Sequence, residues 1–233
     1  MRISLNEIQV MCRKAFEGMG FAAGDCEDAA ELVGWLQLQG LDGIGTLEKA
    51  LDYLQREADQ SFSLSYEDDS LLVIDANGQS VLRCAATAVE LALAKALQSG
   101  QALLRIRHCH NRVLLLGQLS RAAELGLDVQ AHWGDARLRH IATFNAGANR
   151  PTLHCEEQPC TDDAVEQGIS VSFSRPARCV STTSPANAQA TLAEGFTISE
   201  QTWQRLKQLA DNILVESTDA SRRHGAGAGN DAD

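Results

Sequence analysis

The stretch from Ala85 to Trp133 constrains this chain most. "TAVELALAKALQSG" has helical apolar spacing and stops at Gly100, and "ALLRIRHC" follows at once as a short β-rich run. Residues 112–125 return to helical spacing and stop at Gly126, and "LDVQAHW" follows as another such run. A helix that feeds a strand through a single glycine leaves no length for a wandering loop. The order therefore predicts a β-α-β unit.

Around this unit the chain divides by pattern. Residues 1–58 read as a helical module. Ser4 and Glu7 form a capping box before Ile8, Met11, Ala15 and Met19; Asp25 caps a second helix with Ala29, Leu32, Val33 and Leu36 on its buried stripe. "QGLDGIGT" breaks that helix before a third with Leu47, Ala50, Leu51 and Leu54. Residues 59–175 read as a sheet region. It opens with a hairpin, "SFSLSYEDD" and "SLLVIDANGQS", and closes with "RLRHIATFN", "PTLHCEE" and "ISVSFSR". Residues 176–198 lack a period and read as a loop. Residues 199–224 hold a C-terminal helix with Trp203, Leu206, Leu209 and Ala210 on one face, and 225–233, "GAGAGNDAD", read as a loose tail. The expected fold class is α/β (α+β), with the helical module packed on a mixed β-sheet that has flanking helices.

Charge narrows the partners. Among 233 residues, 20 Lys and Arg stand against 31 Asp and Glu, a net charge of −11, and no basic stretch is dense enough to release counterions from nucleic acid or to hold an anionic membrane. Asn6 and Glu7 stand where an export signal would be apolar, and no apolar run spans a bilayer. Seven cysteines form an odd set without disulfide-scaffold spacing, so a reduced, cytoplasmic protein is expected. Trp35 and the leucines around it exceed what a small module buries alone, which predicts a homodimer.

"RHCHNR", residues 107–112, places two histidines, a cysteine and an asparagine on a strand-to-helix turn. Such residues allow three readings. A glycine fingerprint in "GLDGIG" or "GAGAG" lacks the preceding strand and following helix that a pyrophosphate needs. A zinc site fails on spacing, because there is no Cys-x-x-Cys pair and His108 and His110 on an extended segment point to opposite faces; no metal is expected. Cys109 beside an imidazole is a conceivable nucleophile, against the commoner role of a small core residue.

These segments resemble the malate/L-lactate-type dehydrogenases, a non-Rossmann NAD(P)-dependent family. "AAELVGWLQLQGLDGIGTLEKALDYL" resembles the family's helix followed by Gly-His-x-x-His-Gly. "ALLRIRHCHNRVLLLGQLSRAAELGL" resembles its strand, Asn-His-Phe-Gly turn and helix, and "EGFTISEQTWQRLKQLA" its Trp-x-x-Leu helix. A set of shortened bacterial proteins sharing the "GAGAG" ending is more similar still. The resemblance implies the family's non-Rossmann fold. It also exposes departures: Leu41 and Ile44 stand where the family has its two histidines, and the turn's His-Phe-Gly becomes Asn111, Arg112 and Val113, with His110 one position early. The family's Gly-Thr-Asn-Pro stretch has no counterpart.

Hydride transfer to a keto or imino acid needs a proton donor and a cation for the carboxylate, which leucine and isoleucine cannot supply. The leading expectation is a dehydrogenase-like protein that binds a small acidic metabolite or serves as an accessory subunit. It requires no cofactor, although the resemblance leaves NAD(P)H possible. The rivals are an NAD(P)H-dependent reductase of a 2-keto or cyclic imino acid with a rearranged site, and a structural interaction protein. If a site exists at the turn, His110, Arg107 and Asn111 carry its chemistry, and Arg112, His108 and Asp42 hold its substrate.

Overall fold

The structure is a computed structural model that describes residues 1–57, 61–134, 137–157, 167–176 and 195–213. Three helices open the chain. Helix α1 (Leu5–Gly18) starts at the capping box: Ser4 Oγ accepts the Glu7 amide, and the Glu7 carboxylate accepts the Ser4 amide at 2.7 Å. Ile8, Cys12, Ala15 and Phe16 are buried, with Met11 and Met19 at the edge of that stripe. Helix α2 (Ala23–Leu38) begins after Ala22 rather than at Asp25, and no side chain caps it. Asp25 sits in its first turn, where a carboxylate still favours the positive helix end. Helix α3 (Gly43–Leu54) starts from Asp42, and all the apolar positions expected on α2 and α3 are buried.

Seven strands form the main sheet: β2 (Ser63–Glu67), β3 (Leu71–Asp75), β4 (Gln101–Arg107), β5 (Asp128–Gly134), β6 (Leu138–Phe144), β7 (Thr152–Glu157) and β8 (Gly168–Ser174), in the order β2-β3-β4-β8-β5-β6-β7. The expected hairpin is β2–β3, turned by Asp68, whose carboxylate accepts the Ser70 and Leu71 amides. Strands β3 and β4 pair in parallel across helix α4 (Ala85–Ser99), whose C-cap Gly100 has φ +90°. The other neighbouring strands are antiparallel, so the sheet is mixed, as the α/β reading expects.

The second half of the predicted unit departs from a simple crossover. Helix α5 (Leu116–Glu124) joins β4 to β5, but these strands do not touch, because β8 returns between them antiparallel to both. Register explains the insertion. Val171 pairs with Leu104 on one side and Ala131 on the other, and Phe173 pairs with Ala102 and Val129, which makes one continuous apolar stripe. The helix expected over 112–125 is also split: Arg112–Leu115 is a 3₁₀ turn, and α5 follows it.

Buried strand residues face α4 and α5, while Leu103, Arg105, Gln130 and Ser172 on the alternate positions are exposed. The N-terminal helices stack outside this layer, with α2 packed on α1 and α5. Strand β1 (Arg2–Ile3) pairs with β9 (Phe196–Thr197), so the stretch expected to be a loop ends in a strand, and helix α6 (Glu200–Ala210) packs on α1 with its predicted apolar face buried. Residues 177–194 and the expected tail lie outside the described residues. Leu32, Leu36, Leu47, Leu51 and Leu54 are buried within the one chain, whereas Trp35, its ring 6.3 Å from Phe144, and its neighbours Leu38 and Leu41 are partly buried. No helix of the described residues is long and apolar enough to cross a membrane.

Candidate functional site

Because β3 and β4 are parallel, their C-terminal ends lie on one edge, and the turns that leave them run side by side. The ladder continues into these turns: the Ala76 amide donates to Arg107 O, Gly78 to His108 O, His110 to Gln79 O and Val81 to His110 O, all within 2.8–3.0 Å. Four residues here have positive φ, namely Asn77 (52°), Gly78 (80°), His108 (48°) and Asn111 (57°). Three of them are not glycine, a concentration of backbone strain that functional turns often carry.

The left-handed backbone at His108 ends β4 and re-aims the next side chains. His108 and His110 therefore do not alternate across a strand as expected from an extended segment. His108 Nδ1 lies 2.8 Å from Asp75 Oδ2, whereas the His110 ring stacks on Tyr53 of α3 with centroids 5.9 Å apart. Burial alone would raise the Asp75 carboxyl, but the Asn77 amide, His108 and Arg107 outweigh it and hold the group below its usual range.

Between α3 and the two turns lies a cavity of about 270 Å³, lined by Tyr53, Arg56, Asn77, Gln79 and His110, with Glu57 at its wall. Arg56 is exposed and makes no ion pair among the described residues. The Glu57 side chain is 6% exposed and committed: it accepts the Ser80 amide at 2.8 Å and pairs with Arg83 Nε at 3.2 Å, while the Arg83 guanidinium sits 3.9 Å over the Phe21 ring. This clamp ties the end of α3 to the turn after β3.

Of the residues singled out by sequence, only His110 lines this cavity. Arg107 and His108 gather around Asp75 on the neighbouring strand end. Asn111 and Arg112 are half-buried on the following turn, outside the cavity. Asp42 is separate: its Oδ1 accepts the Gly45 amide at 3.1 Å as the cap of α3, roughly 16 Å along the helix from Tyr53. Tyr53, Arg56, Glu57 and Gln79 were not foreseen. Their only sequence signal is position, at the end of one helix and beside an Asn-Gly turn.

Cys109 is fully buried, and its thiol donates to Ile106 O at 3.6 Å. Burial pushes it up to about 12, against a small opposing effect of Arg112, so it is a core thiol and not an activated nucleophile. Cys12 and Cys84 are pushed to about 12 in the same way. Brief treatment of the native protein with a thiol reagent is expected to modify exposed Cys155 and spare Cys12, Cys84 and Cys109; peptide mapping that found Cys109 modified as fast would show that the turn opens. Among the described residues no group of three or more His, Cys, Asp or Glu is placed to hold a metal ion.

The helix that follows β3 presents no open N-terminus to a pyrophosphate, since Val81, Leu82, Cys84 and Ala85 are all buried there. "GLDGIG" joins two helices rather than a strand and a helix.

Comparison with known proteins places this geometry. Residues 3–88 match a family model described as a protein of unknown function, DUF3726. No curated protein matches the chain. Among solved structures, a dehydrogenase from Sinorhizobium meliloti is similar at a TM-score of 0.69 and 14% identity, over 90% of this chain and 99% of that one. Malate dehydrogenase from Entamoeba histolytica gives 0.69 at 9% identity, over 93% and 99%. The delta1-piperideine-2-carboxylate reductase from Pseudomonas syringae pvar. tomato gives 0.64 at 12% identity, over 90% and 99%. At such identities the likeness is one of backbone architecture, and the chain shares the fold of the malate/lactate-type dehydrogenases.

Proposed function

We propose that this chain is a dehydrogenase-like binding protein that takes a small acidic metabolite into the cavity at the ends of β3 and β4 and does not transfer hydride. The observation that carries this reading is the cavity itself: it has the size of a small molecule, and the Arg56 cation at its rim has no counter-ion among the described residues. A ligand carboxylate supplies that charge. Leu41 and Ile44, which stand where the resemblance places histidines, support the loss of hydride transfer, and Ile44 is 4% exposed with its amide donating to Gln37 Oε1. Missing general-acid help and missing electrostatic stabilisation each cost on the order of 10² or more in rate.

The test is thermal unfolding with pyruvate, oxaloacetate, NADH and NADPH, beside a reductase assay. Binding to the folded form raises the midpoint by mass action. A small acid is expected to raise it, Arg56→Gln to abolish the rise, and neither nucleotide to shift it or to be oxidised above background. Turnover that disappears in His110→Ala would establish the rival reductase with a rebuilt site. No shift with any ligand would favour an interaction protein.

A further inference from the structure

The main sheet ends in two edge strands, β2 and β7, and they are built differently. An edge presents unpaired N–H and C=O groups, which proteins blunt with bulges, prolines or lysines. Strand β2 is blunted, because its register with β3 shifts between Leu64 and Tyr66. Strand β7 is not. It pairs with β6 without a register shift, contains no proline or lysine, and is exposed at every residue, with no strand on its outer side among the described residues. A free edge of this kind accepts another strand.

The order of residues in β7 selects that strand. Alternation puts Thr152, His154 and Glu156 on the sheet face of Gln130, and Leu153, Cys155 and Glu157 on the other. A second copy laid antiparallel along β7, about a two-fold axis normal to the sheet, keeps each residue on its own face. Centred on Cys155, the pairing sets His154 of each copy opposite Glu156 of the other and leaves both Glu157 residues outermost. Centred on His154 it would oppose the two imidazoles, centred on Glu156 it would oppose like charges, and centred on Leu153 it would draw Pro151 into the ladder. Glu156 is 56% exposed and Arg139 reaches it only at 3.7 Å, so its carboxylate has room for a second partner. An imidazole offers that carboxylate an N–H whether neutral or protonated. We infer that β7 is a self-association edge, through which two copies of this chain join antiparallel with Cys155 at the two-fold axis and His154 paired with Glu156 across it.

The test is the mass of the full chain by light scattering at about 100 μM, since so short a ladder makes a small, reversible interface. Twice 25.1 kDa is expected. His154→Glu opposes two carboxylates and should return the mass to that of one chain, while adding Glu156→His exchanges the pair and should restore the dimer. Oxidation reads the register independently, should His154→Glu fail to fold. In a background of Cys160→Ser and Cys179→Ser, diamide, which takes two electrons and two protons from a pair of thiols, should link the copies through Cys155. Directly opposed residues lie about 4.5 or 5.5 Å apart at Cα, inside the roughly 4.4–6.8 Å that a disulfide spans. Leu153→Cys combined with Cys155→Ser in that background should not link. A single-chain mass for the native protein, a dimer that survives His154→Glu, no rescue by the exchanged pair, or a link through position 153 would each overturn the assignment.

Discussion

Arg83→Met is expected to lower the free energy of unfolding by about 3–5 kcal/mol in urea titrations. The side chains of Arg83 and Glu57 are 9% and 6% exposed, so removing the cation leaves a buried carboxylate whose one other partner among the described residues is the Ser80 amide. The stacking of the guanidinium on Phe21 is lost as well, worth about 1–2 kcal/mol in a desolvated place. Adding Glu57→Gln to Arg83→Met should recover a good part of the loss, because the stranded charge accounts for most of it. A loss below 1 kcal/mol in the single variant would mean that the pair is solvated. On the proposed reading the effect also reaches the cavity, since Glu57 holds the turn that carries Asn77 and Gln79. Arg83→Met should therefore weaken small-acid binding even at temperatures where the protein stays folded.

Gly43→Ala is expected to cost about 3 kcal/mol, a large effect for one methyl group. A Cβ at Gly43 would lie 2.1 Å from Val33 O and 2.8 Å from the Gln37 amide nitrogen, which are backbone atoms of α2 that cannot rotate away. The helices must separate, and the packing of Leu36 against α3 loosens with them. Gly24→Ala provides the contrast. It lies in the first turn of α2 with nothing within 4 Å of the added carbon, so it should gain about 0.5–1 kcal/mol from the reduced entropy of the unfolded chain. Equal and small effects at the two sites would show that α2 and α3 are not in close contact. Of the glycines in "GLDGIG", Gly43 thus serves a helix crossing, Gly40 turns the chain at φ +72° and Gly45 leaves room for the Asp42 cap, so none of them serves a nucleotide.

Local rules written in consecutive residues were enough to determine the elements. The Ser4–Glu7 box starts α1, Gly100 and Gly126 end their helices in left-handed turns, and the period of Leu47, Ala50, Leu51 and Leu54 sets the buried face of α3. Each depends on contacts between residues a few positions apart, so the chain order carries it. The α/β class follows from the same alternation of periods. Two things were decided only by tertiary structure. The first is the place of β8: its alternation of Ile169, Val171 and Phe173 announces a half-buried strand but not its neighbours, which are chosen by the apolar stripe that β4 and β5 present from some 40 to 70 positions away. The second is the site. Sequence pointed to the 107–112 turn because its polar residues cluster there, yet left-handed φ at His108 and Asn111 sends consecutive side chains to different surroundings. His108 meets Asp75, Cys109 enters the core, His110 stacks on Tyr53, and Arg112 is left without a partner for Nη1. Backbone dihedrals at two residues, stabilised by hydrogen bonds to the turn after β3, made that division, and no pattern of residue types spells them out.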